Sequence, residues 1–407
     1  MMPNREKEKK ILLFNLSLRL IGGAEKVLLE EAKYFESQRI QTYVLTFTFN
    51  NDVLFHNVYD SYIEQIGITK DNKNVVARAV EFLRKSYALR RRIRQIQPDA
   101  ILGSNIWDCI ILYFATLFTP FTYSTHVHGT IFWLPYDLKY ARIHRGVFAE
   151  IRTSVKGHQE FIPIDAPKSN LLRKTQNEFL AVLVWIAVRK AKKIFVLSNQ
   201  MKWEVYKLYA KQAVVLRGAF SEKMLTYTPH HNLKQDLEID GRVILNVNRL
   251  EFRKRVDLLI NSFKLICSKY EDVWLVIAGL GWDGEKLKKL AHELGIENRV
   301  KFIGAVDEHY KWDCIASCDV FAHPMWADFA IAAFEPLALQ KKVVWSSDVE
   351  VDDKLAKNRH IFRADSNPID FAKALEQALN TTVDEINDVS EYTWETYCGR
   401  VLDELCR

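Results

Sequence analysis

Residues 243–279 read VILNVNRLEFRKRVDLLINSFKLICSKYEDVWLVIAG. Val243–Val247 and Trp274–Ala278 are short, nearly all-apolar runs, as strands buried on both faces require. Between them Val256, Leu259, Ile260, Phe263, Ile266 and Cys267 fall at i, i+3, i+4 and i+7 spacing, one face of a helix that runs to Tyr270. Strand, helix, strand in that order gives parallel strands joined by a crossover helix, and a sheet covered on both sides.

The pattern continues in both directions. Val300–Ile303, Val320–Ala322 and Val343–Trp345 are further strands of the second half. In the first half, Ile11–Phe14, Thr42–Leu45, Ala100–Leu102, Phe121–Ser124 and Ile194–Leu197 read as buried strands, with helical patterns over 24–37, 75–96, 108–118 and 177–191. The fold class is therefore α/β, with two doubly wound, Rossmann-like domains. The polar stretch TYTPHHNLKQDLEIDG, Thr226 to Gly241, is the expected boundary, giving domains of 1–235 and 236–390. Ligands of such sheets sit outside the carboxyl ends of the strands, so two facing domains would share a cleft. Residues 129–176, with Phe132, Trp133, Tyr136, Tyr140, Arg142, His144, Arg145 and Arg152, read as an irregular insertion near its mouth.

Composition narrows the class. Of 407 residues, 48% are hydrophobic and 27% charged, which excludes a disordered chain, and 15 Gly with 10 Pro excludes collagen-like or low-complexity sequence. No uncharged apolar run reaches the length of a membrane span: Ile106–Tyr123 carries Asp108 and Pro120, and Phe179–Val188 is too short. The charged start MMPNREKEKK passes directly into a strand, so no secretory leader is expected. Six scattered Cys fit reduced thiols in the cytoplasm, and no metal-ligand spacing is apparent. Charge is uneven. Residues 1–235 hold 35 Lys+Arg against 20 Asp+Glu, a balance of +15, whereas 236–407 hold 22 against 31, a balance of −9. The first half is expected to face something anionic.

Five segments carry chemistry, each with a plainer alternative. NLSLRLIGGAEKVLLEEA places Gly22 and Gly23 before a helix whose first amides can receive an anion, or simply form a turn. Arg249 ends a strand and Lys254 follows in the next loop, two cations suited to a diphosphate or, alternatively, paired with Glu251 or Asp257. VWLVIAGLGWDGEKLKKL formally matches G-x-G-x-x-G at Gly279, Gly281 and Gly284. It sits on the second strand–helix unit of its domain, with at best Asp307 as the following acid, so a tight turn competes with a dinucleotide site. CDVFAHPMWADFAIAAFEPLALQKKVVWSSD, residues 318–348, breaks a strand and starts a helix near Phe329 that holds Glu335 among apolar neighbours. A ribose diol or a nearby Lys or Arg would satisfy that carboxylate. YSTHVHGTIFW places His126 and His128 on one side of an extended segment, one as a hydrogen-bond donor to a bound hydroxyl and the other as structural. No further zinc ligand lies near them.

Taken in order, the GGAE at Gly22–Glu25, the RL-x3-K at Arg249, Leu250 and Lys254, the IAGLG turn, VKFIGAV at Val300–Val306 and CDVFAHP resemble glycosyltransferase family 4 over most of the chain. That resemblance implies the GT-B fold, two Rossmann-like domains across a cleft, and a retaining transfer from a nucleotide sugar. Arg249 and Lys254 would neutralise the donor diphosphate, assisted by amides at Gly23 and around Phe329, Ala330 and Ile331. Glu335 would hold the ribose, Gly281 and Val306 would border the base, and His126 or His128 would lie near the transferred sugar. The C-terminal helices, from about residue 391, would return to the first domain. The chain departs from the family at one place: Ala327 stands where a first glutamate is usual, with Asp328 beside it as a substitute for its contact with sugar hydroxyls.

The chemistry that the resemblance implies requires no cofactor. Positive charge builds on the sugar and negative charge on the leaving diphosphate, which Arg249 and Lys254 would stabilise most in the transition state. The expected donor is UDP- or GDP-linked, and the expected acceptor is a glycan or lipid-linked saccharide. Basic helix 75–96, with Arg78, Arg84, Lys85, Arg90, Arg91, Arg92 and Arg94, fits an anionic membrane surface on the cytoplasmic side, or a solvated face. No nucleic-acid module is recognisable. A catalytically silent relative and a dinucleotide-dependent oxidoreductase are the competing readings.

Overall fold

The structure is a computed structural model that describes residues 9–19, 23–49, 63–67, 75–129, 131, 134–154, 170–218, 220–325 and 331–407. The chain divides into two compact units, one of Met1–Ile151, Ile164–Arg217 and Trp394–Arg407, the other of Arg152–Pro163 and Gly218–Thr393.

Unit 1 is built on β1 (Lys10–Asn15), α1 (Gly23–Ser37), β2 (Gln41–Thr46), β3 (Ile63–Gln65), α2 (Val75–Ile96), β4 (Ala100–Gly103), α3 (Asp108–Thr116), β5 (Ser124–Val127), α4 (Arg142–Ser154), α5 (Leu171–Lys190), β6 (Ile194–Val196), α6 (Asn199–Tyr209) and β7 (Val214–Val215). Its seven strands are parallel, in the order β3-β2-β1-β4-β5-β6-β7. β1 is central, with Leu13 beside Val44 on one side and Leu102 on the other. Leu12, Leu13 and Phe14 are fully buried, as a strand covered by helices on both faces must be.

Unit 2 contains α7 (Leu233–Asp236), β8 (Arg242–Val247), α8 (Val256–Cys267), β9 (Val273–Ala278), α9 (Gly284–Glu293), β10 (Val300–Gly304), α10 (Glu308–Ser317), β11 (Val320–His323), α11 (Phe334–Ala338), β12 (Lys342–Ser346), α12 (Asp353–Ala356), β13 (Ile361–Ala364) and α13 (Pro368–Asn380). Its six parallel strands run β10-β9-β8-β11-β12-β13. The apolar face read from the sequence of α8 is buried: Val256, Leu259, Ile260, Phe263 and Ile266 join the strand residues Ile244, Leu275 and Ile277 in one core. In both units the order reverses beside the first strand, between β1 and β4 and between β8 and β11. These are the places where a doubly wound sheet opens a crevice.

The last helix, α14 (Trp394–Cys406), belongs to unit 1. Trp394, Tyr397, Cys398, Val401 and Leu405 are its buried side, and Lys193 Nζ pairs with Glu404 Oε2 at 2.7 Å. Gly399 lets it approach α1, because a Cβ there would stand 3.0 Å from the Tyr34 hydroxyl.

Three expectations are corrected. The boundary lies at Arg217/Gly218, not at residue 235. The segment in between is tied to unit 2, where Asp313 Oδ1 accepts from the Tyr227 hydroxyl and the His230 amide, both at 2.8 Å, and Ser317 Oγ accepts from the Leu233 amide. The strand placed at 121–124 is β5, Ser124–Val127, because its pairing with β4 begins at Leu102–Ser124. The insertion is regular where it is described: Pro135–Tyr140 forms a 3-10 turn, α4 follows, and Leu138, Phe148 and Ile151 are buried.

Candidate functional site

At the β8/β11 crevice, the β8 strand ends at Val247 and the chain turns through Arg249 to Lys254 before α8. Arg255, in a left-handed conformation (φ 52°), reverses the chain into the helix. Lys254 Nζ lies 3.0 Å from Met325 Sδ, so the loops leaving β8 and β11 meet. Arg249 is half exposed and lies 3.3 Å from Glu251 Oε1, the ion pair of the alternative reading. Both cations therefore stand on the carboxyl side of the sheet. His323, the last residue of β11, is 1% exposed and neither ring nitrogen has a partner. Burial, aided by the positive charge of Lys254, pushes its pKa down to about 3, so the ring is neutral.

The glycine-rich turn has a structural cause. A Cβ on Gly279 would stand 1.9 Å from the Asn248 carbonyl oxygen, and one on Gly281 would stand 2.3 Å from that of Leu250. The turn lies directly on the loop that carries Arg249. Leu250 N donates to Leu280 O at 3.0 Å and Asp283 N to Leu250 O at 3.0 Å. Asp307, the acid a dinucleotide site would need, caps α10 by accepting from Tyr310 N at 2.9 Å. Val306 is half-buried in the loop beyond β10.

Glu335 is 5% exposed at the start of α11, and its Oε1 accepts from Lys311 Nζ at 2.7 Å. A lysine therefore satisfies this carboxylate, as the plainer alternative had it; Lys311 also bonds Glu308. Ile331 opens the 3-10 turn Ile331–Ala333 that leads into α11. Gly22, Ala327, Asp328, Phe329 and Ala330 lie outside the described residues.

In unit 1, Gly23 is the exposed first residue of α1. His126 lies inside β5, not beyond it, and is 1% exposed. Its Nε2 is 2.8 Å from the fully buried Glu31 Oε1, and its Nδ1 is 3.5 Å from the Tyr397 hydroxyl. His128, one residue past β5, stacks on it with ring centroids 4.9 Å apart. His128 Nε2 has no partner. Burial first, then the neighbouring His126, holds its pKa well below the ordinary value. His126 is thus engaged with Glu31, whereas His128 keeps one ring nitrogen without a partner. His128 borders a cavity of about 210 Å³ that Glu25, Asn105, Trp107, Glu204 and Tyr209 also line.

Beside that cavity Asp108 is fully buried, and its carboxylate accepts the Leu16 and Asn105 amides at 2.9 Å each, clasping the loops that follow β1 and β4. Burial raises its pKa to about 8 against those hydrogen bonds. Among the described residues no three His, Cys, Asp or Glu side chains converge as metal ligands.

Several of these residues were not singled out from sequence. Glu31 shares an apolar helix face with Val27, Leu28 and Phe35, a detectable anomaly. His323 was visible as a histidine closing a buried strand. Tyr209 and Glu204 gave no local signal, because the cavity they line is assembled from four separate segments.

Residues 231–395 match the glycosyl transferases group 1 family. An uncharacterized glycosyltransferase of Methanocaldococcus jannaschii is 29% identical over 122 residues, 30% of each chain. A phosphatidylinositol N-acetylglucosaminyltransferase subunit of Saccharomyces cerevisiae is 22% identical over 44% of this chain and 40% of its own. An alpha-1,3/1,6-mannosyltransferase of Dictyostelium discoideum is 25% identical over 38% and 41%. The chain thus matches less than half the length of these relatives. Similar solved structures span nearly everything. The lipopolysaccharide outer core galactosyltransferase WaaB in its apo form has a TM-score of 0.66 at 16% identity, over 97% of this chain and 98% of its own. Anabaena HepE in complex with UDP has a TM-score of 0.65 at 16%, over 97% and 95%. Residues 231–395 therefore carry the glycosyl transferases group 1 match, and the chain as a whole has the GT-B fold of the similar solved structures.

Proposed function

We propose that the chain is a retaining glycosyltransferase that moves a hexose from a UDP- or GDP-linked donor to a glycan or lipid-linked acceptor. The observation that carries this reading is the meeting of Lys254 with the β11 exit at the unit 2 crevice, with Arg249 on the same loop. The similar Anabaena structure was solved in complexes with UDP and with UDP-glucose, and the curated relatives are named as mannosyl- and N-acetylglucosaminyltransferases.

Breaking the bond between the anomeric carbon and phosphate leaves negative charge on the diphosphate. Two fixed cations stabilise that charge more in the transition state than in the bound donor, which is what accelerates the step. In this reading Gly23, Phe329, Ala330 and Ile331 supply amides, Glu335 holds the ribose from its Lys311-fixed position, and Gly281 and Val306 flank the base. His128 serves as a neutral hydrogen-bonding group, since His126 is committed to Glu31. Arg249 and Lys254 take the place of a divalent ion, and transfer is expected to persist in EDTA. Asp328 contacts the sugar in place of the glutamate that Ala327 lacks, so Asp328→Ala should abolish transfer.

The acceptor is presented at an anionic membrane surface on the cytoplasmic side. The support is the outer face of α2, where Val76, Val80, Leu83 and Tyr87 form an exposed apolar stripe with exposed Arg84, Arg91 and Arg94 close by. Arg78 is exposed as well, whereas Arg90 bonds the carbonyls of Phe114, Ala115 and Leu117, and Arg92 bonds Glu64. Among the described residues no helix is long and apolar enough to cross a membrane.

The test is release of nucleoside diphosphate from a panel of UDP- and GDP-sugars, with and without vesicles carrying glycolipid. Turnover of one donor, lost in Lys254→Ala, is the expected result. Donor binding without turnover would favour the silent relative that Ala327 suggests.

A further inference from the structure

The amino end of the unit 2 sheet carries a pocket that the donor assignment does not use. Gln340, in a left-handed conformation (φ 59°), turns the chain from α11 into β12 and sets Lys341 and Lys342 at the start of that strand. Beside them lie Arg242 and Asp319, at the amino ends of β8 and β11, and Thr381 and Thr382, just past the end of α13. Together these residues line a cavity of about 350 Å³, room for one small molecule. The length of β8 separates it from the Arg249 loop: from Arg242 to Val247 the strand rises roughly 16 Å.

Its charge is not balanced from within. Among the described residues that line it are three cations, Arg242, Lys341 and Lys342, and one acid, Asp319. Asp319 is already paired with Lys234 Nζ at 2.8 Å and accepts the Val243 amide at 2.7 Å. Asp272 neutralises Arg242 through two bonds, from Nε at 2.7 Å and from Nη2 at 2.9 Å. With those outside partners counted, four cations stand against two carboxylates, and the charges of Lys341 and Lys342 remain. Lys341 is half-buried, and its ammonium has no partner among the described residues. Lys342 Nζ donates to the Thr381 carbonyl at 3.0 Å, which leaves it further N–H donors. Burial holds the Lys342 pKa below its ordinary value; Asp319 opposes that shift, and the positive charges of Arg242 and Lys341 add to it.

We propose that this pocket binds a small phosphate monoester with a hydroxyl-bearing body, at a site separate from the donor crevice. Lys341 and Lys342 hold the phosphate, because both ammonium groups have donors to spare and no carboxylate of their own. A bound anion also relieves the repulsion among three clustered cations, which a neutral molecule of the same shape cannot do. The hydroxyls of the body meet Thr381 and the exposed Thr382. Thr381 Oγ1 donates to the Gln377 carbonyl at 2.7 Å and so keeps its acceptor capacity for them. The site shares no residue with the donor assignment and stands independently of it.

The experiment titrates the full chain calorimetrically with glycerol 3-phosphate and with glycerol, at physiological salt so that scattered surface charges are screened. Saturable binding of the phosphate and none of glycerol is the expected result. Lys341→Gln removes an ammonium that bonds nothing in the fold. It should weaken binding about tenfold or more without lowering the melting temperature. Lys254→Ala, at the other end of the sheet, should bind glycerol 3-phosphate as the unaltered chain does. Absence of saturable binding, equal binding of glycerol, or unaltered affinity in Lys341→Gln would overturn the proposal. So would binding that survives in Lys341→Gln and is lost in Lys254→Ala, because the phosphate would then occupy the donor crevice.

Discussion

His126 and His128 are separated by one residue and have different physical fates. His126 is locked between Glu31 and Tyr397, whereas His128, which lines the cavity, keeps a buried nitrogen without a partner. Removing His126 strands a buried carboxylate, so His126→Ala should cost about 3–5 kcal/mol in denaturant unfolding, while Glu31→Gln with His126 retained should cost less. His128→Ala should leave the unfolding midpoint nearly unchanged and abolish transfer. The opposite pattern would reverse their roles. Asp108 gives a pH signature. Its folded pKa, about 8, lies above the ordinary value of 3.8, so its contribution is fullest below that ordinary value and is lost as pH rises through about 8. Asp108→Asn loses an acceptor for a buried amide and should be less stable, but the gap in melting temperature should narrow toward alkaline pH. A gap that widens would contradict the assigned shift. The His-x-His spacing was legible in the sequence. Glu31 was visible only as a charge on an apolar helix face; its pairing was not, because its partner lies 95 residues away on a strand whose start was misplaced.

At the scale of elements, the glycines after β9 serve a loop-on-loop contact. Gly281→Ala drives a methyl group into the Leu250 carbonyl and should cost about 1–3 kcal/mol, with weaker nucleotide binding because the Arg249 loop must move. Unchanged binding would mean that the turn does not support the cation loop. The α2 stripe is independent of the fold: Leu83→Glu with Tyr87→Glu should leave the melting temperature intact and abolish sedimentation with anionic vesicles. Retained vesicle binding would remove α2 from that role. The strands flanking the two crevices were readable because buried parallel strands are continuous apolar runs. β3, β7 and β13 were not. They are short edge or near-edge strands, two to four residues long, and too brief to show a period. β5 was read too early because Phe121 and Tyr123 look like strand residues, while the Tyr123 hydroxyl in fact anchors to α5 at Ala187.

For the whole molecule, the charge balance of +15 over residues 1–235 and −9 over the rest suggested an anionic partner for the first half. Among the described residues no lysine or arginine lines the cavity in unit 1, whereas α2 carries exposed Arg78, Arg84, Arg91 and Arg94. The C-terminal helix closes unit 1, so deleting residues 394–407 should expose Glu31 and His126 and destabilise unit 1 specifically, leaving nucleotide-dependent stabilisation in unit 2. The central claim is that the β8–α8 loop of unit 2 grips a diphosphate through Arg249 and Lys254. Calorimetric titration of UDP and GDP into the wild-type chain and into Lys254→Ala, both with EDTA present, tests it most directly. The account predicts saturable binding of one nucleotide without metal, weakened about tenfold or more by the substitution. Equal affinity in both chains, or binding that appears only when a divalent ion is restored, would contradict it.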